Sequence, residues 1–258
     1  MAHSMTAPAD QSAPDRFALP DGRTLAWRHA PGRGPLLVFL PGYKSDMTGS
    51  KAQALWDWAR AHGQGCLLFD YSGCGQSDGL FAEGTLSRWR DEAIALIDHC
   101  AAERVVLVGS SMGGWLMLLL ALALGPRVAG LVGIAAAPDF TEWGIDAAAR
   151  ARLAAGEVIW ADNPYGPEPT PTYPGFWADA QRLLLLERPI ATVAPVRLLH
   201  GQNDADVPWE IALRTAAALR SPDVQVTLVK AGDHRLSRAG DIALLLATVS
   251  GLIKELEQ

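Results

Sequence analysis

Apolar residues along this chain fall into two kinds of run that take turns. The short, nearly continuous ones are residues 36–40 (LLVFL), 66–71 (CLLFDY), 105–109 (VVLVG), 131–137 (LVGIAAA), 196–201 (VRLLHG) and 224–229 (VQVTLV). A strand that is apolar on both sides of the pleat is buried on both faces, as strands of parallel sheets are. Between them, apolar positions recur at helical spacing over residues 50–62, 86–100, 112–124, 209–220 and 241–256. Strand and helix in alternation predict an α/β architecture, a mostly parallel sheet flanked by crossover helices. The opening FALPDGRTLAWRHA reads as a hairpin at the sheet edge, turning at Asp21-Gly22.

One region breaks the rhythm. Residues 138–195 hold no comparable strand, and WADNPYGPEPTPTYPGFW is dense in proline, glycine and aromatics. Long irregular insertions in compact domains usually carry function. The expected organisation is therefore a single domain over residues 16–258, with 138–195 as a cap insertion and 1–15 as a tail.

Bulk properties narrow the field. The chain has 258 residues, 49% of them hydrophobic and 19% charged, which excludes a disordered polymer. A net charge of -6 argues against nucleic acid as a partner. Cys66, Cys74 and Cys100 are odd in number and form no C-x-x-C pair, which suits a reducing compartment. The first residues carry no apolar signal core, and the longest apolar run, WLMLLLALAL, is too short to span a bilayer. The expectation is a cytoplasmic protein without a membrane span; no oligomeric state follows.

The stretch RVVLVGSSMGGWLML holds the chemistry. Gly109-Ser110-Ser111-Met112-Gly113 spells G-x-S-x-G between a predicted strand and a predicted helix. There a nucleophilic serine sits on a sharp, strained turn with its hydroxyl exposed above the sheet. Only very small residues fit two places before and after it, because neighbouring backbone passes close. Gly109 and Gly113 meet that demand around Ser111. Two places after Ser110 stands Met112, which is too bulky, so Ser111 is the candidate. The Met112 amide opens the helix, where a developing oxyanion is stabilised.

A serine hydroxyl needs a base, and the base needs an orienting acid, in the chain order Ser, Asp or Glu, His for this topology. His234 lies in a loop beyond the last strand, whereas His29 sits near the N-terminal hairpin, His62 and His99 near helix ends and His200 at the close of a strand, and these read as surface histidines. In RLLHGQNDADVPWE, Asp204 follows a strand and a glycine turn. Asp206 precedes a helix entry and reads as a solvated or capping carboxylate. Asp233 adjoins His234 and cannot easily face its ring. The loop LPGYKSDM after residues 36–40 offers the Tyr43 amide as second oxyanion donor, with Gly42 allowing close approach.

Together FLPGYKSDMTGSKA, FDYSGCGQSDG, TLSRWRDE, LVGSSMGGWLML, RLLHGQNDADVPW and DHRLSRAGDI resemble the α/β-hydrolase domain-containing protein 10 family. The likeness runs from Gly34 to the C-terminus and is weaker across 138–195. It implies the α/β-hydrolase fold and serine thioesterase activity of the palmitoyl-protein kind, with activity on acyl glucuronides. Matched by motif, it implies a triad of Ser111, Asp204 and His234, favouring Asp204 over Asp206.

The expected activity is therefore hydrolysis of acyl esters or thioesters through an acyl-enzyme, on a small-molecule or acylated-protein substrate. No cofactor and no metal is expected, since no His/Cys/Asp cluster has ligand spacing. Trp143, Trp160, Phe176 and Trp177 are candidates for an apolar acyl pocket because they lie in the insertion; Trp115 reads as helix packing and Cys74 as a small filler. A peptidase, a carbon–carbon-bond hydrolase and a non-catalytic binding protein of the same fold are the alternatives.

Overall fold

In the computed structural model, which describes residues 13–164 and 166–257, the apolar runs pair into one eight-stranded sheet. His3, Met5 and the rest of the tail up to residue 12 lie outside the described residues. In chain order the first half comprises β1 (Asp15–Ala18), β2 (Thr24–Ala30), β3 (Arg33–Leu40), α1 (Ser50–His62), β4 (Gln64–Phe69), α2 (Leu86–His99), β5 (Val105–Ser110), α3 (Met112–Leu124) and β6 (Val128–Ile134). The second half comprises α4 (Phe140–Trp143), α5 (Ala147–Ala154), β7 (Ile159–Ala161), β8 (Thr170–Thr172), α6 (Pro174–Gln181), β9 (Val196–Gly201), α7 (Glu210–Ala218), β10 (Val224–Val229) and α8 (Ala239–Leu256).

The sheet order is β1-β2-β4-β3-β5-β6-β9-β10. Within this sheet only the first two pairings, β1 with β2 and β2 with β4, are antiparallel; β4, β3, β5, β6, β9 and β10 run parallel to one another. The opening hairpin is present at the edge, with Gly22 at φ 88° in its turn. All the loops that follow β3, β5, β6, β9 and β10 therefore emerge at one edge of the sheet.

The pleat sorts the continuous apolar runs into two layers. Leu36, Val38 and Leu40 of β3 face one way with Leu67, Phe69, Val105 and Leu107, under α2 and α3. Leu37 and Phe39 face the other way with Cys66, Leu68, Val106 and Val108, under α1 and α8. Each fully buried Leu, Val or Phe contributes about 1.5–3 kcal/mol. Two such layers hold the domain without a disulfide, and Cys66, Cys74 and Cys100 are all free thiols. Helix α3 is buried on nearly every side, which accounts for the run WLMLLLALAL. Among the described residues no helix is long and apolar enough to cross a membrane.

Several boundaries differ from the sequence expectation for local reasons. β6 ends at Ile134 rather than at 137 because Ala135 takes a left-handed φ of 44° and turns the chain. Helix α7 stops at Ala218 because Leu219 is extended and bridges to Ile190. Helix α8 begins at Ala239, where Arg238 and Asp241 form a reciprocal cap. The insertion between β6 and β9 is not strandless: β7 and β8 pair antiparallel, each only three residues long.

That insertion is tied down at identifiable points. The Asp179 carboxylate of α6 accepts the Ser87 amide and hydroxyl, both at 2.8 Å, capping the first turn of α2. Buried Asp139 accepts the Leu185 amide at 2.9 Å and the Leu186 amide at 2.7 Å. Trp115 of α3 donates its indole N–H to Leu183 O at 3.2 Å.

Candidate active site

The edge of the sheet collects the candidate residues. Ser111 stands between β5 and α3 with φ 54° and ψ −121°, a region that costs a non-glycine residue about 1–3 kcal/mol. The surroundings over-determine that conformation. Ser111 N donates to Ile134 O at 2.9 Å, while Ser111 O accepts Gly114 N at 2.8 Å and Ala137 N at 3.0 Å.

The flanking glycines are sterically required. A β-carbon on Gly109 would stand 2.3 Å from Gly113 O, and one on Gly113 would stand 2.0 Å from Leu40 O. Ser110, by contrast, is buried at the end of β5, paired with Ile134. The loop after β3 passes alongside, since a β-carbon on Gly42 would touch Ser111 Cβ at 3.4 Å. The segment carrying Tyr43 therefore lies beside the serine, and Met112 opens α3 on its other side.

His234 reaches Ser111 from the loop between β10 and α8. The Ser111 hydroxyl lies 3.1 Å from His234 Nε2, and His234 Nδ1 lies 2.9 Å from Asp204 Oδ2. The network assigns the ring proton to Nδ1, which donates to the carboxylate, leaving Nε2 to accept from the serine. Two more glycines make this possible. A β-carbon on Gly201 would strike Gly232 O at 2.3 Å, so the turn carrying Asp204 and the loop carrying His234 can touch. Asn203 N donates to Gly232 O at 2.8 Å across that contact. Lys51 of α1 donates to Arg235 O and holds the histidine loop from outside. Burial, chiefly, pushes the Lys51 ammonium down to about 8.

The Asp204 side chain is fully buried. Burial alone would raise its pKa, but contacts from His200 and His234 and the Val207 amide outweigh it and hold the carboxyl well below the usual range. Its Oδ1 accepts the Asp206 and Val207 amides, each at 2.9 Å. Asp206 itself is exposed, and Asp233 accepts the Leu236 amide at 3.0 Å within its own loop. Sequence spacing showed no metal cluster, yet folding brings ligand atoms of Asp204, Asp206 and His234 within 4.8 Å of one another. Two of those three are already engaged with each other through the 2.9 Å bond.

Tyr43 carries more than an amide. Its ring lies 4.9 Å from Phe81 and from Phe176, and 6.0 Å from Phe140, while its hydroxyl donates to Pro171 O on β8 at 3.0 Å. Burial pushes that hydroxyl's pKa well up, so it remains a donor. Phe176 is fully buried in this aromatic group. Trp143 and Trp177 are half-buried; Trp143 donates to Pro138 O at 2.8 Å and packs toward Val207 and Ile211. The expectation for Trp160 is corrected: it is 61% exposed on β7, where its ring faces solvent rather than an enclosed pocket. Trp115 is fully buried, and Cys74 is a buried thiol pushed up to about 12 by desolvation.

The residue that sequence reasoning passed over is His200. It is fully buried at the end of β9, with Nε2 3.2 Å from Asp204 Oδ2 and 3.0 Å from Val207 O. Its one signal was a polar ring near the end of a strand that is apolar apart from Arg197. His29 and His99 pack on Trp27, and His62 on Trp58, away from the serine.

A mostly parallel sheet in this order, with a serine on a strained strand-to-helix turn above it, defines a class of hydrolases. The chain belongs to the alpha/beta hydrolase family, whose sequence pattern matches residues 37–243, and it is a hydrolase. Within that class it is 39% identical over 246 residues to the mouse palmitoyl-protein thioesterase ABHD10, mitochondrial, covering 94% of this chain and 82% of the relative. The solved structure of mouse α/β-hydrolase domain-containing protein 10 superposes with a TM-score of 0.88 at 36% identity, over 95% of this chain and all of that one. A putative hydrolase from Agrobacterium vitis S4 superposes with a TM-score of 0.87 at 38% identity, over 94% of this chain and all of that one.

Proposed function

We propose that this chain is a serine hydrolase of acyl esters and thioesters, with Ser111 as nucleophile, His234 as general base and acid, and Asp204 as the orienting acid. The observation that carries the reading is the continuous relay from Ser111 Oγ through His234 to buried Asp204, at 3.1 and 2.9 Å. His234 takes the serine proton as Oγ attacks the acyl carbon. Asp204 holds the ring and offsets the charge of the imidazolium. The Met112 amide, at a helix N-terminus, and the Tyr43 amide, beside Gly42, receive the oxyanion. Collapse expels an alkoxide or thiolate, with His234 returning its proton, and water then releases the acid by the same path.

Residues 138–195 act as the cap. Phe176, Trp143 and Trp177, together with Tyr43 and Phe140, supply the apolar wall for the acyl chain. The name of the ABHD10 relatives supports an S-acylated protein as substrate, with small acyl esters as surrogates. A cytoplasmic location, argued from three free thiols, stands beside the mitochondrial location in the relatives' names, and subcellular fractionation decides between them.

The test is turnover of an S-palmitoylated peptide, a palmitoyl-CoA and a nitrophenyl ester series by wild type and Ser111→Ala. Ser111-dependent release of acyl groups supports the reading. An inert, well-folded wild type across the whole panel would remove it.

A further inference from the structure

We propose that His200 is a positioning residue for this site, donating its Nε2–H toward the Asp204 oxygen that His234 uses and so setting how strongly Asp204 holds the proton on His234. The inference rests on the triad reading above.

The tautomer follows from the surroundings. Nε2 faces two oxygens, Val207 O at 3.0 Å and Asp204 Oδ2 at 3.2 Å. A bare nitrogen there would set three lone pairs against one another, so the proton belongs on Nε2. Nδ1 is buried and has no hydrogen-bond partner, which suits a nitrogen without a proton better than an N–H. One N–H is thus divided between a carbonyl and a carboxylate, the shorter contact going to the carbonyl.

The consequence concerns charge. Asp204 Oδ1 is occupied by the Asp206 and Val207 amides, and Oδ2 faces His234 and His200. Four donors account for the lone pairs of the carboxylate. Every donor that draws on its charge leaves less for the imidazolium of His234. His200 is the side chain among the four that substitution can remove without touching the triad or the backbone. Val207 closes the unit, its N–H going to Asp204 and its C=O receiving His200. The ring is held by strand β9 in the sheet and is fully buried, so its position relative to Asp204 is fixed by the core. Among the groups facing His234 are the carboxylates of Asp204 and exposed Asp206 and the hydroxyl of Ser111.

The test compares wild type with His200→Leu, which removes the donor, and His200→Gln, whose amide N–H reaches a similar place. The readout is the pH profile of kcat/KM on a nitrophenyl ester. With the donor gone, Asp204 holds the His234 proton more tightly. The acid limb in His200→Leu should move up by about half to one pH unit, with kcat falling about tenfold, and His200→Gln should restore the limb to within about 0.2 unit. A purely structural role predicts lower kcat with the limb unmoved or moved down; either result overturns the proposal. Should His200→Leu fail to fold, nitrogen-15 histidine spectra of wild type decide. A single proton on Nε2 of His200, unchanged across the acid limb, supports the proposal. A proton on Nδ1, or a ring that titrates with the limb, overturns it. Ser111→Ala run alongside separates the two levels. Turnover surviving that change removes the serine mechanism and this proposal with it. Ser111-dependent turnover with an unmoved limb removes only the role of His200.

Discussion

Adding one methyl group at Gly113 tests whether the turn around Ser111 is as tight as its geometry demands. The new β-carbon of Gly113→Ala would stand 2.0 Å from Leu40 O, 2.6 Å from Pro41 O and 2.7 Å from Leu40 C. All three atoms are backbone, so no flexible side chain can swing aside. Ordinary contact lies near 3.4 Å, and the two segments must part by more than 1 Å. One segment is the start of α3, which carries Ser111. The other is the end of β3, which leads into Gly42 and Tyr43. Overpacking of this kind costs about 1–3 kcal/mol. Displacing an attacking group by about 1 Å costs on the order of 10²-fold in rate. Gly113→Ala should therefore lose about 2–3 kcal/mol in urea denaturation and about 10²-fold in kcat on a nitrophenyl ester. A variant within about 0.5 kcal/mol and threefold of wild type would refute the steric argument and the strained turn with it.

Other substitutions probe the remaining supports. Gly251→Ala in α8 meets nothing within 4 Å, so the same chemical change should there stabilise by about 0.5–1 kcal/mol, read from the urea midpoint. Asp179→Ala removes the carboxylate that caps α2 from the insertion; it should cost about 1–2 kcal/mol and speed proteolytic nicking within residues 138–195. Asp204→Asn should lower kcat by about 10³–10⁴-fold with little change in fold. Because the folded state depresses the Asp204 pKa, its charge stabilises the protein above the ordinary carboxylate range, and that contribution is lost as pH falls through the depressed value. The stability gap between wild type and Asp204→Asn should therefore narrow below about pH 4 in acid titrations followed by circular dichroism.

The sheet was legible because buried parallel strands leave continuous apolar runs; five of the six runs are buried strands, while β10, at the sheet edge, is half-exposed. The tight turn at Ser111 was also legible, since it turned on which neighbours are small, and the close contacts at Gly109 and Gly113 are the physical form of that pattern. What could not be read depends on contacts distant in sequence. The strands β7 and β8 are three residues each, too short to show a period. Trp160 looked like pocket material because it is aromatic and in the insertion; the pairing with β8 instead leaves it facing solvent. His200 read as a strand end because nothing local reveals that the turn four residues on folds back to put Asp204 beside it. The Tyr43 side chain was silent for the same reason, as its partner Pro171 lies 128 residues away.

The most direct measurement is labelling with a fluorophosphonate probe followed by intact-mass analysis of wild type, Ser110→Ala and Ser111→Ala. One probe adduct on wild type and on Ser110→Ala, with none on Ser111→Ala, is the predicted result. An adduct on folded Ser111→Ala, or none on folded wild type, would contradict an activated serine at this turn.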